Sequence, residues 1–362
     1  MNLVETYLTR HHAELQLERY GLPSALSTVL VLPRFDASRH VVLLILPRGV
    51  DRPALVAKMP RRRGDDSGVR HEAEMLDRLA TLAPDLAGTV PQLVASDIVE
   101  GECLVVETFV AGLPLSPWQV KQDVEGSIEA GIQWLTRLPR VGTTADEPGW
   151  FRRLVEEPLH RFGALRALGA EGEQLVETTL QALAPLQQTE LPMYFEHGDV
   201  SHPNVLRIED GRLAVLDWER AEPRGLPLHD LCFFLAFIGF ARESSFDLTT
   251  QVRAFDAAFI GTEAWARPHL RRQLAALQLA PELAPLLLLA TFARSGASLV
   301  DRMWGQAPPC NGGCAPVGAD GGDGDAMRAT DVRDLVFADR DVVLWRRAVE
   351  RQTAGATSAS GH

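Results

Sequence analysis

The chain has 362 residues, 46% of them hydrophobic and 23% charged, with a formal charge of −12 at pH 7. That apolar share excludes a disordered chain, the length allows two compact lobes, and the acidic balance excludes a protein held on nucleic acid by phosphate contacts. The same balance suits a cationic or neutral substrate.

The opening stretch, MNLVETYLTRHHAELQLERYG, mixes charges and lacks the apolar run of a signal peptide, so a cytoplasmic protein is expected. Four scattered cysteines, Cys103, Cys232, Cys310 and Cys314, do not make a disulfide framework and fit a reducing compartment. Runs of β-branched and aliphatic residues at 27–34, 40–47 and 54–60, separated by the turn-forming FDAS and RGVDRP, predict three strands. Arg61, Arg62 and Arg63 read as a solvated turn. Val69, Met75, Leu76, Leu79 and Leu82 fall along one side of a helix predicted over 68–82. Two further strands follow at 89–99 and 102–110. Residues 1–108 are therefore expected to form a small β-rich lobe with one helix laid against its sheet.

The character changes at ETFVAGLPLS (107–116), where a strand runs into Gly112 and Pro114. Segments 124–138 and 171–186 have helical spacing, and nearly everything after residue 225 reads helical. A mostly helical lobe is expected over 109–351, giving an α+β fold with a small β-rich N-terminal lobe and a larger helical C-terminal lobe. The apolar runs LCFFLAFIGFA (231–241) and LAPLLLLATFA (283–293) are shorter than the ~20 residues of a bilayer span and are expected as buried helices. Residues 305–324 read as a Gly/Pro-rich insertion. Its CNGGC stretch lacks nearby His or Cys partners, and Asp320, Asp323 and Asp325 do not have calcium-loop spacing, so no metal is expected there. Residues 352–362 read as a disordered tail.

The densest chemistry lies in EHGDVSHPNVLRIEDGRLAVLDWE, residues 196–219. NVLRI and LAVLDW flank Asp210-Gly211, a strong hairpin signal. Closing the hairpin brings Asp199 and Asn204 at one end beside Asp217 at the other. Carboxylate and amide oxygens in that arrangement suit Mg²⁺, which prefers such ligands together with substrate phosphates.

HGDVSHPN followed by LDWE resembles the catalytic signature of the aminoglycoside phosphotransferase and choline kinase group, relatives of protein kinases, in which the pattern reads HRD, a downstream Asn and DFG. The resemblance implies a protein-kinase-like, bilobal fold. It implies Asp199 as the catalytic base or hydroxyl-orienting group, Asn204 and Asp217 as Mg²⁺ ligands, and His197 as a brace for the loop. It further implies that Lys58, on the third strand, contacts nucleotide phosphates and is held by Glu72 on the next helix, with Glu74 a rival for that place. Asp230, at the head of the 231–241 run, would tie back to the catalytic loop. The first turn, Phe35 to His40, contains no glycine. The resemblance puts Ser38 in the phosphate-covering position there.

Protein kinases carry a long peptide-docking segment after the metal-binding Asp; here only about a dozen residues separate Asp217 from the next helix. The resemblance thus implies a small-molecule kinase that uses ATP, or alternatively GTP, with Mg²⁺. Its acceptor would be a hydroxylated antibiotic-like or metabolic compound, with neither nucleic acid nor membrane as partner. The competing expectation is a catalytically weak nucleotide-binding or scaffold protein that keeps the fold.

Overall fold

A computed structural model describes residues 2–23, 25–31, 40–304 and 329–359 of the chain. It divides into two compact units that are not contiguous in sequence. Met1–Ser116, Glu129–Pro139 and His197–Pro223 form the first, and Pro117–Ile128, Arg140–Glu196 and Arg224–His362 the second.

The first unit is built on an antiparallel five-stranded sheet. Its strands β1 (Leu26–Val31), β2 (His40–Pro47), β3 (Leu55–Pro60), β4 (Leu93–Val99) and β5 (Glu102–Thr108) lie in the order β1-β2-β3-β5-β4. Strand alternation sends successive side chains to opposite faces. Leu55, Ala57, Leu104 and Val106 point to one face, where they pack with Val4, Tyr7 and Leu8 of helix α1 (Leu3–Arg10). Cys103 and Val105 point to the other face and pack with Val69 and Ala73 of helix α2 (Ser67–Leu82). The five strands and α2 were expected. Helix α1 was not, although Asn2 and Glu5 form a capping box at its start.

The hairpin around Asp210-Gly211 is present as β9 (Val205–Arg207) and β10 (Leu213–Val215), with a short strand β6 (Leu113–Pro114) added on the β9 side. This pairing ties the hairpin to the chain just beyond residue 108, the expected boundary. The loop region 197–223 belongs to the compact first unit rather than to the helical one. The reason is visible in its contacts. β6 hydrogen-bonds β9, and the Trp218 ring packs 6.2 Å from that of Trp134.

The second unit is mainly helical, with a small sheet in which β7 (Arg140–Thr143) pairs antiparallel with β8 (Pro192–Glu196), a pairing that the sequence reading missed. Helix His229–Glu243 is buried almost all round, as is Leu283–Ala297. With the short helix Leu299–Trp304 that follows, the second of these becomes a 21-residue apolar stretch, Leu283–Met303, long enough to cross a membrane, but 83% of its most apolar window is buried inside the protein. It is a core helix. Gly296 allows helix Arg340–Ala359 to come close, since a Cβ there would lie 3.0 Å from the Trp345 ring. Trp345 Nε1 in turn donates to Thr179 Oγ1 at 2.8 Å on helix Gly169–Gln187. Arg294 clamps the Glu196 carboxylate with two 2.9 Å hydrogen bonds, fixing the end of β8. The final helix runs to Ala359, well into the segment expected as a disordered tail. Alanine-rich composition (Ala354, Ala356, Ala359) favours helix there. The 305–324 insertion, with Cys310 and Cys314, lies outside the described residues.

Candidate active site

The sheet register places the first group. Lys58 on β3 is opposite Val105 on β5, so Lys58 lies on the face covered by α2. There its Nζ donates to Glu72 Oε1 at 2.6 Å, and both side chains are almost wholly buried. Burial alone would lower the Lys58 pKa, but Glu107, Glu72 and Asp217 outweigh it and hold the ammonium charged. Glu74 turns outward and pairs with Arg78.

Glu107, two residues beyond Val105 on β5, reaches the same face. Its Oε1 lies 3.2 Å from Lys58 Nζ. Sequence reasoning missed this residue, because a single Glu in a strand reads as solvent-facing until the register is known. Burial pushes the Glu107 pKa up to about 7, against the opposing pull of Lys58.

The second group lies around the β9–β10 hairpin. The backbone N–H of Leu216 donates to the Asn204 carbonyl at 2.9 Å, which sets Asn204 beside Asp217 as the hairpin reading required. Asn204 spends its side-chain N–H on the Asp199 carbonyl at 3.2 Å, leaving the amide oxygen as its metal-type donor. Asp217 adopts a left-handed backbone, φ 66°, and its buried Oδ1 has no hydrogen-bond partner among the described residues. Burial raises its pKa to about 7, with Lys58 pulling the other way. An orphaned buried carboxylate oxygen is costly unless a cation completes it, so Asp217 and Asn204 fit a magnesium site in the chemistry of their donors.

Asp199 accepts from Ser201 Oγ at 2.8 Å and faces Arg220 Nη1 at 3.6 Å. His197 is fully buried. Its Nδ1 accepts the Asp199 backbone N–H at 3.1 Å, so Nε2 carries the proton and donates to the Leu216 carbonyl at 2.8 Å. Burial lowers its pKa to about 4, which keeps the ring neutral. Its edge also meets the Trp218 ring, with centroids 4.6 Å apart. This is the geometry of a brace. Gly198 has φ 84°, and a Cβ there would collide with the Arg220 carbonyl oxygen, so the HGD triplet needs glycine at its centre.

The two groups are joined. Trp218 N–H donates to Glu72 Oε1 at 2.9 Å, and His71 Nε2 meets the Ala221 carbonyl at 2.7 Å. His40 on β2 lies 3.4 Å from Glu219, whose pKa is lowered by that contact despite its burial. The structure therefore brings Lys58, Glu72, Asn204, Asp199 and Asp217 into one unit. Asp230 is buried in the first turn of helix His229–Glu243. Ser38 lies outside the described residues.

With this arrangement in place, comparison with known proteins is decisive at the level of family. The profile of the phosphotransferase enzyme family matches residues 32–271, about two thirds of the chain. The chain belongs to that family. By membership it is a phosphotransferase with a hydroxyl acceptor. Phosphotransferase structures share its mixed α+β fold, with sheet-rich N-terminal and helical C-terminal regions. A thermostable mutant of aminoglycoside phosphotransferase APH(4)-Ia in its apo form aligns over 96% of this chain and 99% of its own at TM-score 0.52 and 15% identity. A ternary complex of a thermostable mutant of the same phosphotransferase with ADP and hygromycin B aligns over 97% of this chain and 100% of its own at TM-score 0.53 and 13% identity. Choline kinase LicA from Streptococcus pneumoniae aligns over 95% and 99% at TM-score 0.49 and 14% identity. No curated protein matched the sequence.

Proposed function

We propose that this phosphotransferase moves the γ-phosphoryl group of ATP to a hydroxyl of a small antibiotic-like or metabolic acceptor. The observation that carries the reading is the double use of Glu72 Oε1, which receives both Lys58 Nζ at 2.6 Å and the backbone N–H of Trp218 at 2.9 Å. One carboxylate thus fixes a cation on the sheet relative to the segment that carries Asp217.

In this reading Lys58 faces the nucleotide phosphates as a desolvated point charge. Asp217 and Asn204 would hold Mg²⁺, which would neutralise phosphate charge when bound. Asp199 accepts the hydrogen bond of the acceptor hydroxyl and orients its oxygen, with Ser201 and Arg220 fixing the carboxylate. His197 holds the loop backbone without exchanging protons at neutral pH. The ADP and hygromycin B bound in the similar APH(4)-Ia structure favour an adenine nucleotide and an antibiotic-like acceptor. The scaffold alternative finds no support in the family match, which is to a family of phosphotransferase enzymes.

A thermal-shift titration with ATP and GTP, each with and without Mg²⁺, followed by transfer assays on a library of aminoglycosides, amino alcohols and sugars, tests the reading. Magnesium-dependent stabilisation by ATP and a phosphorylated hydroxyl product are expected. Stabilisation by GTP alone would reassign the donor, and binding without transfer to any hydroxyl compound would revive the scaffold reading.

A further inference from the structure

The Lys58 ammonium is held by two carboxylates, and they are not equivalent. Glu72 is anchored at both ends of its role, because the oxygen that takes Lys58 also takes the Trp218 N–H. Among the described residues the Glu107 carboxylate pairs with Lys58 alone, at the longer 3.2 Å, and its Oε2, like that of Glu72, is buried with no partner there. An ammonium has three donors. With Glu72 and Glu107 occupying two of them, an arriving phosphate shares what remains or displaces the weaker ligand. The weaker ligand is Glu107. Its surroundings deepen the contrast. Facing it are Lys58 from β3, Glu72 from α2 and Asp217 from the segment after β10, three carboxylates in all around one ammonium.

We propose that Glu107 is a positioning residue that competes with nucleotide phosphate for Lys58 and thereby sets nucleotide affinity, opposite in sign to Glu72. In the empty site Glu107 serves as the temporary counter-ion of Lys58. On binding, the Lys58–Glu107 contact is released in exchange for a phosphate oxygen, while the Lys58–Glu72 contact persists. A buried carboxylate left beside incoming phosphates repels them, so the wild-type protein binds nucleotide less tightly than its Lys58–Glu72 pair would allow. The inference rests on the phosphotransferase reading above.

The test is isothermal titration of MgATP and of adenosine into the full chain, in wild type, Glu107→Gln, Glu107→Met and Glu72→Gln. Glu107→Gln keeps shape and a hydrogen-bonding oxygen while removing charge. Glu107→Met removes the polar group as well, and a melting curve for each variant verifies folding. Both Glu107 variants are expected to bind MgATP on the order of threefold to tenfold more tightly, the scale of one weakened like-charge contact. Glu72→Gln is expected to bind it more weakly. Adenosine affinity should stay unchanged in the Glu107 variants, because the effect acts through Lys58 on phosphate, and steady-state kinetics should show the change in the nucleotide KM rather than in kcat. Equal or weaker MgATP binding by the folded Glu107 variants overturns the inference, as does an equal gain for adenosine. A wild-type protein that binds no magnesium nucleotide overturns the phosphotransferase reading beneath it, whereas wild-type binding with unmoved Glu107 variants overturns this inference alone.

Discussion

Glu72 and Trp218, 146 residues apart in sequence, are joined by a 2.9 Å hydrogen bond from the Trp218 backbone N–H to the Glu72 carboxylate. The same oxygen holds Lys58. The acid therefore has two duties that mutagenesis separates. Glu72→Gln retains an oxygen for Trp218 and loses the ion pair, while Glu72→Ala loses both. The alanine variant should show the larger fall in both Tm and kcat/KM. A buried charge left without its partner costs about 3–5 kcal/mol at the upper end, and Lys58 still keeps Glu107. Pairing Glu72→Ala with Lys58→Ala should do little more damage to activity than Lys58→Ala alone, since residues that act as one unit are not additive. Fully additive losses would show that the pair does not work as a unit.

Gly198→Ala should damage the loop without touching any acid or base. The backbone is left-handed there and the Arg220 carbonyl blocks a side chain. A strain of about 1–3 kcal/mol is expected, visible as a lower Tm and a lower kcat. A variant that melts and turns over like wild type would show that the loop tolerates another backbone path.

Glu107 predicts a pH dependence of stability. Its folded pKa, about 7, lies above the ordinary carboxyl value of 4.5, so its charged form is disfavoured in the fold. The group costs nothing at pH values below 4.5, and the cost grows as pH rises through 4.5 to 7 and is complete above 7. Glu107→Gln should therefore raise the Tm of the nucleotide-free protein at pH 8, by about 2–4 °C for each 1 kcal/mol relieved, and leave it unchanged near pH 4. Melting curves across that range check the sign. A Tm gain confined to acid pH would contradict it.

Much of the site was legible because its chemistry is local. Asp199, Asn204 and Asp217 lie on a loop and a short hairpin whose Asp-Gly turn fixes their approach, and Lys58 and Glu72 lie on successive elements of a strand–helix pair. What escaped depends on distant pairing. Glu107 becomes part of the site only through the register that sets Lys58 opposite Val105. Arg220 reaches Asp199 only because the chain folds back at Gly198. Strands β7 and β8 are short, and β7 carries Gly142 at a register shift, so neither has the alternating pattern that marks a strand. Helix α1 was signalled by Asn2, Glu5 and the spacing of Val4, Tyr7 and Leu8, but a sheet face was needed to show what that stripe covers.

Asp217→Ala should abolish magnesium-dependent ATP binding, because it removes the one carboxylate of the Asp217–Asn204 pair, and Asn204→Ala should weaken that binding less. Calorimetry of MgATP against each variant checks the order. Unchanged affinity in Asp217→Ala would show that the metal is held elsewhere.

The central claim is that Asp199 orients an acceptor hydroxyl for phosphoryl transfer, and it is tested most directly by a paired measurement on wild type and Asp199→Asn. Single-turnover transfer of the γ-phosphoryl group from labelled ATP to the best acceptor in the library is followed together with MgATP affinity. The account predicts equal nucleotide affinity and a transfer rate lower by about 10²-fold or more in the variant, the scale of a positioned acid–base group. An Asp199→Asn protein that transfers phosphate as fast as wild type would contradict it.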